Sequence, residues 1–185
     1  MLIRHHDPAD DEVLAPRLLQ LQHAAYAVEA RLIGDDRIPA LHEDLPALLG
    51  AGLRWLVAQD DDAVVGALGW RPGTAAVDVD RLVVDPAHAR RGTGRALVAA
   101  VLAEAAGQPV TVSTGRHNTP ARRLYASTGF REVGEREVLP GLWVVDAVHD
   151  GRASGPSATA GRRGRPRRPG RVGQTPTERS ASTCS

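Results

Sequence analysis

The segment from residue 77 to residue 107 constrains the fold most, because it joins three kinds of local structure. The run VDVDRLVV predicts a β-strand, which Pro86 stops. The turn HARRGTG follows, and the run RALVAAVLAEAA then predicts an α-helix that ends at Gly107. A strand, a short turn and a helix in this order are typical of a sheet whose faces are covered by helices.

The other segments predict strands and helices around this unit. LIRH predicts a first strand, and Asp10 or Asp11 is expected to cap a helix that runs to about Arg31. The remaining segments, in chain order, are a short helix in LHEDLPALLGAG, a hairpin of RWLVAQ and AVVGALGW, a strand in PVTVST, a helix in TPARRLYAST, and two strands in FREVGEREV and LWVVDAVH. The predicted order is β-α-α-β-β-β-α-β-α-β-β, an α/β (α+β) fold with a mixed sheet.

The composition changes near residue 150. Residues 1–149 carry 15 arginines against 20 acidic residues, a charge of −5. Residues 150–185 carry 8 arginines against 2 acidic residues, a charge of +6, and have almost no large apolar side chains. Such a segment cannot bury enough surface to offset the entropy of ordering it. We therefore predict one folded domain over residues 1–149 and a disordered tail over residues 150–185.

Cysteine usage and hydropathy bear on the compartment. The single cysteine, Cys184, excludes an internal disulfide, which is usual in a reducing compartment. No apolar run reaches the length of about 18 residues that suggests a membrane helix, and the opening MLIRHHDPADDE is too polar for a signal peptide. We therefore expect a cytoplasmic protein with no membrane partner.

The turn before the third predicted helix has the chemistry of a phosphate site. Flexible backbone and positive charge at a helix N-terminus favour an anion. A Walker loop is excluded, since the chain has no lysine, and a dinucleotide fingerprint is excluded because Leu97 stands where its third glycine belongs. No cluster of metal ligands appears either, because the seven histidines are scattered.

Two motifs resemble the GNAT superfamily of N-acetyltransferases. VVDPAHARRGTGRAL is similar to the family's pyrophosphate motif, Arg/Gln-x-x-Gly-x-Gly/Ala after a strand ending Val-x-Pro, except that Ala89 replaces the leading residue. NTPARRLYASTGF matches the second signature, Asn-x-x-Ala-x-x-Leu-Tyr-x-x-x-Gly-Phe, at every fixed position. The resemblance covers residues 53–149 well and residues 1–52 only in outline.

The resemblance implies a fold, a cofactor and a reaction. The fold is a central, mostly antiparallel sheet of six to seven strands flanked by about four helices. The cofactor is acetyl-CoA, which leaves coenzyme A as product. The backbone N–H groups from Arg91 to Ala96 are expected to face the pyrophosphate, and Arg90, Arg91 or Arg95 to supply the missing cation. The implied cofactor-binding residues are Leu82, Val83, Val84, Arg90, Arg91, Gly92, Thr93, Gly94, Arg95 and Asn118.

Acetyl transfer to an amine needs a donor for the departing sulfur, a donor for the oxyanion and a neutral amine. Tyr125, whose phenol is protonated at neutral pH, suits the first task, and the matching tyrosine in the family has it. The resemblance implies that Leu82, Val83 and Val84 bind the pantetheine arm through their backbones. It also makes the Val83 N–H the expected oxyanion donor.

The general base and the acceptor site are less constrained by the sequence. Asp78 and Asp80 lie on the strand where many family members carry a glutamate, and we choose Asp80, with direct attack by a neutral amine as the alternative. A charge of −5 favours a cationic amine, on a small molecule or a peptide. We expect the N-terminal helices and the final hairpin to build the acceptor site. The candidate residues are Tyr26, Glu29, Asp35, Asp36, His42, Glu43 and Asp44.

The tail provides the basis for an alternative function. RRGRPRRPGR, residues 162–171, resembles an AT-hook, which binds the minor groove of A·T-rich DNA. The alternative is thus an acyl-CoA-binding sensor or regulatory module with a DNA-binding tail. Nucleic acid is expected as a partner only through this tail, and a homodimer would fit the exposed final strand.

Overall fold

The computed structural model describes residues 1–151, and their element order is the predicted one. The interpretations of the tail as disordered and AT-hook-like therefore lie outside the described residues. The strands are β1 (Leu2–His6), β2 (Arg54–Asp60), β3 (Ala63–Arg71), β4 (Val77–Val84), β5 (Val110–Gly115), β6 (Arg131–Leu139) and β7 (Leu142–His149). The helices are α1 (Leu14–Ile33), α2 (Leu45–Gly50), α3 (Thr93–Glu104) and α4 (Thr119–Ser127).

The seven strands form one mixed sheet in the order β1-β2-β3-β4-β5-β7-β6. Every neighbouring pair is antiparallel except β4 and β5, which are parallel. The predicted fold class, a mostly antiparallel mixed sheet flanked by four helices, is confirmed. None of the helices within residues 1–151 combines the length and hydropathy that a membrane span requires.

Short polar side chains and glycines set the helix ends. The Asp11 carboxylate accepts hydrogen bonds from the N–H groups of Val13 and Leu14, at 3.0 and 2.8 Å, so Asp11 caps the start of α1. Gly34 ends α1 with a φ of 74°, a left-handed conformation that glycine adopts without strain. Asp44 and Asn118 cap α2 and α4 in the same way as Asp11.

The two faces of the sheet carry separate apolar clusters. On one face α1 and α2 pack against the central strands through residues such as Leu18, Leu48 and Val57. On the other face α3 packs through residues such as Leu97 and Val101, together with Tyr125 of α4. The core is therefore mostly aliphatic, as a chain with 3% aromatic residues requires.

A β-bulge in β4 determines which of its side chains face which helix. Val79 pairs with Trp70 and Arg81 pairs with Gly69, so Asp80 is the extra residue. Before the bulge, Val79 belongs to the cluster beneath α3. After it, Val83 belongs to the cluster beneath α1. The bulge thus turns the second half of β4 over, and this half lines the candidate site.

Gly66 on β3 lets the start of α3 approach the sheet. A Cβ at this position would lie 2.7 Å from Cγ2 of Thr93 and 3.3 Å from the carbonyl oxygen of Val83. Thr93 is the first residue of α3 and is fully enclosed, with 3% of its surface exposed. A side chain on residue 66 would therefore push the N-terminus of α3 away from the sheet.

We expect Gly66→Ala to destabilise the fold by about 1–3 kcal/mol, the usual range for an overpacked core position. Adding Thr93→Ser removes the Cγ2 atom that the new methyl group meets, so the double variant should recover part of the loss. Urea unfolding of the two variants, of Thr93→Ser alone and of the parent measures both effects. A Gly66→Ala protein as stable as the parent would contradict the close packing.

Candidate active site

The strands β4 and β5 separate to form a gap in the middle of the sheet. They pair at only three positions, from Val77 with Val110 to Val79 with Val112. Pairing stops at the Asp80 bulge, and a cavity of about 620 Å³ begins there. The second half of β4, from Leu82 to Val84, lines this cavity. One side of a strand in mid-sheet is thus left open for a ligand to bind.

The register determines which backbone groups of β4 face the gap. The N–H of Asp85 donates to the carbonyl of Val65 on β3, at 3.0 Å. Backbone groups alternate in direction along an antiparallel strand, so the N–H of Val83 also points to β3, opposite Ala67. The backbone groups of Leu82 and Val84 point into the gap. The Val83 N–H, the predicted oxyanion donor, thus points away from the gap, whereas the Leu82 N–H points into it.

The glycine-rich turn ends at the N-terminus of α3 beside the same cavity. Arg90 and Gly92 both have left-handed backbones, with φ of 64° and 90°. Gly92 caps α3, and its carbonyl accepts the N–H of Ala96 at 2.9 Å. The N–H groups of the first turn, from Thr93 to Arg95, have no acceptor within the helix. The Ala96 N–H, expected to face the phosphate, is therefore occupied, whereas those of Thr93, Gly94 and Arg95 are available to an anion.

The three candidate arginines differ in position. Arg90 and Arg95 line the cavity, whereas Arg91 is exposed and is not among its lining residues. The guanidinium of Arg95 donates to the Ser127 carbonyl and hydroxyl oxygens, at 3.2 and 2.9 Å, which ties it to the end of α4. Arg90 has the least constrained guanidinium at this end of the cavity.

Asn118 and Tyr125, the predicted residues of α4, both line the cavity and are nearly buried. The Asn118 amide oxygen caps α4 by accepting the Ala121 N–H at 3.1 Å. The Tyr125 ring is 6% exposed and packs at 5.4 Å from the Phe130 ring. Burial raises the pKa of Tyr125 far above its usual value, and the Glu29 carboxylate raises it further. The phenol is therefore protonated and able to donate.

Asp80 lines the cavity, but two arginines occupy its carboxylate. Arg71 donates to it at 2.8 Å, and Arg81 donates to it at 3.0 and 3.1 Å. Arg81 also donates to Gln22 at 2.9 Å and to Glu43, which together join α1 and the segment before α2 to β4. Because both of its carboxylate oxygens accept hydrogen bonds from these arginines, Asp80 is suited to holding the bulge in place. Asp78 accepts the Thr111 hydroxyl at 2.7 Å and lies outside the lining residues.

Glu29 of α1 is an acid of the cavity lining that lies beside Asn118. Its carboxylate lies against the Asn118 side chain and the backbone of Gly115. Burial raises the pKa of Glu29, although these hydrogen-bonding groups oppose the shift. The sequence placed Glu29 only within a set of acceptor-site candidates. Its spacing of four residues from Ala25 and from Ile33 was the signal, because an acid then lies on an apolar helix stripe.

The other acceptor-site candidates divide between the cavity and the surface. Tyr26 lines the cavity, and burial followed by the Glu29 charge raises its pKa strongly. Asp35 is paired with Arg37, and Asp44 caps α2. The His42 ring contacts the Asp36 carbonyl oxygen at 2.6 Å, and Glu43 is paired with Arg81. Of the seven candidates, Tyr26 and Glu29 line the cavity.

The chain is similar to known acetyltransferases. The profile described as "Acetyltransferase (GNAT) domain" matches residues 51–132. Mycothiol acetyltransferase of Clavibacter sepedonicus is 40% identical over 137 residues, which make up 69% of this chain and 45% of that protein. The chain thus spans less than half the length of this curated relative.

Solved structures with lower sequence identity share the fold. The ribosomal-protein-S18-alanine N-acetyltransferase from Escherichia coli superposes with a TM-score of 0.65 at 15% identity, over 85% of this chain and 98% of that chain. The protein YncA from Salmonella typhimurium, solved with its cofactor acetyl-CoA, gives a TM-score of 0.61 at 22% identity, over 86% and 99%. The architecture described above is the one these proteins have.

Proposed function

Since residues 51–132 of this chain form a GNAT acetyltransferase domain, we propose that the protein transfers an acetyl group from acetyl-CoA to a primary amine. The observation that supports this most is the open side of β4, with an anion site at one end and a buried phenol beside it. The amine belongs to a small molecule or a peptide, and the cytoplasm is the compartment that we propose for the reaction.

The residues present fit acetyl-CoA. The backbone groups of Leu82 and Val84 lie unpaired along the gap and suit the amides of a pantetheine arm. The free N–H groups of Thr93, Gly94 and Arg95 suit a pyrophosphate, and Arg90 adds positive charge. Bound acetyl-CoA supplies the thioester whose carbonyl carbon the amine nitrogen attacks.

Three groups of the chain then have defined roles. The N–H of Leu82 donates to the carbonyl oxygen as it becomes negative. Tyr125 gives its phenolic proton to the sulfur as the carbon–sulfur bond breaks. Glu29 takes the proton that the nitrogen loses as the carbon–nitrogen bond forms. When this proton passes from Glu29 to Tyr125, the carboxylate and the phenol are both restored. We assign this base role to Glu29 in place of Asp80, whose oxygen atoms are occupied by Arg71 and Arg81.

The test is an acetylation assay with the full chain, acetyl-CoA and a panel of primary amines. Thiol release and the mass of the product are followed together. We expect thiol release that depends on the amine, with an acetamide as product. Tight binding of acetyl-CoA without thiol release across the panel would favour the sensor alternative instead.

A further inference from the structure

The half of the cavity away from the anion site has apolar walls on two sides. One wall is the end of α1 with the loop after it, and the other is the β6–β7 hairpin. Their lining residues are Val28, Leu32, Ile33, Ile38 and Pro39 on the first side, and Val138, Leu142 and Val144 on the second. A ligand in this half therefore has aliphatic side chains around most of its length.

A hydrogen bond joins the two walls at the rim. The Arg37 guanidinium donates to the carbonyl oxygen of Pro140, in the hairpin turn, at 3.1 Å. The same guanidinium pairs with the Asp35 carboxylate, so the charge of Arg37 is already matched. Ile38 follows Arg37 directly, and Leu142 follows the turn. The rim thus presents apolar side chains to the cavity, and the charge of Arg37 is bound by Asp35.

In the half of the cavity between α1 and the β6–β7 hairpin, one carboxylate carries an unpaired charge. Among the cavity-lining residues within the described part of the chain, Glu29 is the acid that no arginine pairs with. Asp80 and Arg81 neutralise each other, and Arg90 and Arg95 lie at the opposite end, beside α3. A cation that enters between the apolar walls therefore finds one partner, at the end nearest Tyr125.

We infer that the acceptor is a monoamine carried on an aliphatic body, with its ammonium group on Glu29 and its chain between α1 and the β6–β7 hairpin. The ammonium group gives one proton to solvent before the attack, and the neutral amine that forms gives the second to Glu29. This inference rests on the proposed function and narrows its substrate class. A second ammonium group would find no second unpaired carboxylate in the described lining, and a hydroxyl-rich ring would lose its water against the apolar walls. Polyamines and amino sugars are thus expected to bind weakly, although the net charge of residues 1–149 alone favours polycations.

The test measures calorimetric binding of butylamine, hexylamine and octylamine to the full chain without acetyl-CoA, and then kcat/KM with it. Affinity should rise about threefold to fourfold for each added methylene group that the walls cover. Spermidine, glucosamine and hexanol are the comparison ligands and should bind more weakly than hexylamine. Glu29→Gln should reduce hexylamine binding at least about tenfold, because it removes the charge that the ammonium pairs with.

A matched pair of variants tests the apolar wall. Val138 and Val133 are both exposed valines of β6, at 38% and 50%, but only Val138 lines the cavity. Val138→Ser should reduce the gain in affinity per methylene group, whereas Val133→Ser should leave it unchanged. Affinity that does not rise with chain length, or spermidine or glucosamine preferred to hexylamine, would overturn the inference. Alkylamine binding without any transfer would instead overturn the proposed function.

Discussion

Replacing Tyr125 by phenylalanine is expected to lower kcat by about 10²–10⁴-fold, the usual contribution of a positioned general acid. The ring would stay in place, because its contact with Phe130 at 5.4 Å involves no oxygen. Only the proton for the departing sulfur is lost. The affinity for acetyl-CoA should therefore stay within about twofold of the parent, as expected for an interaction made in the transition state. Steady-state kinetics and calorimetric titration measure the two quantities.

Tyr26→Phe is the matched control for this prediction. Tyr26 lies on the opposite wall of the same cavity, and burial also raises its pKa, so the chemical change is the same. We expect its kcat to fall by no more than about threefold, since the phenol of Tyr26 transfers no proton in the proposed scheme. If Tyr26→Phe loses more than Tyr125→Phe, the two roles must be exchanged. If neither variant loses activity, the sulfur leaves without a protein donor.

The sequence predicts most of the fold, because local signals set where the elements begin and end. Asp11 and Asn118 are side-chain caps that a sequence pattern reveals, and Pro86 follows the end of β4 closely. The predicted end of α3 is Gly107, whereas the helix ends three residues earlier, at Glu104. These effects act over a few residues. The order of strands and helices follows from them and agrees with the structure throughout residues 1–151.

The site is predictable only in part, because its geometry depends on distant pairings. The bulge at Asp80 arises from the register of β4 on β3, and the sequence does not reveal that it turns Val83 away from the gap. The ion pairs of Asp80 likewise need Arg71 and Arg81 to converge on it. Glu29 reaches the cavity only because α1 crosses the sheet beside the β4–β5 gap. Motif matches thus located the glycine-rich turn and Tyr125, and tertiary packing determined that Glu29 lines the cavity beside them.

Gly92→Glu is expected to reduce the affinity for acetyl-CoA by at least about 100-fold, which corresponds to about 2.7 kcal/mol at 25 °C. The φ of 90° strains any residue other than glycine, and this strain lowers the stability of the fold by on the order of 1–3 kcal/mol. The loss of affinity has a different cause. The new carboxylate would lie at the N-terminus of α3, where it would take the N–H groups meant for the pyrophosphate and repel its charge. Calorimetric titration of both proteins with acetyl-CoA measures the loss.

Gly52→Glu is the matched control for this prediction. It introduces the same kind of backbone strain and the same negative charge, but away from the cavity. Gly52 has a φ of 65°, a Cβ there would also meet open space, and it lies outside the cavity lining. The two variants should therefore be destabilised to a similar extent in thermal unfolding, while only Gly92→Glu loses acetyl-CoA binding. Unchanged affinity in Gly92→Glu would mean that the turn does not hold the pyrophosphate. The unpaired backbone groups of β4 would then bind some other ligand, because such groups alone do not select acetyl-CoA.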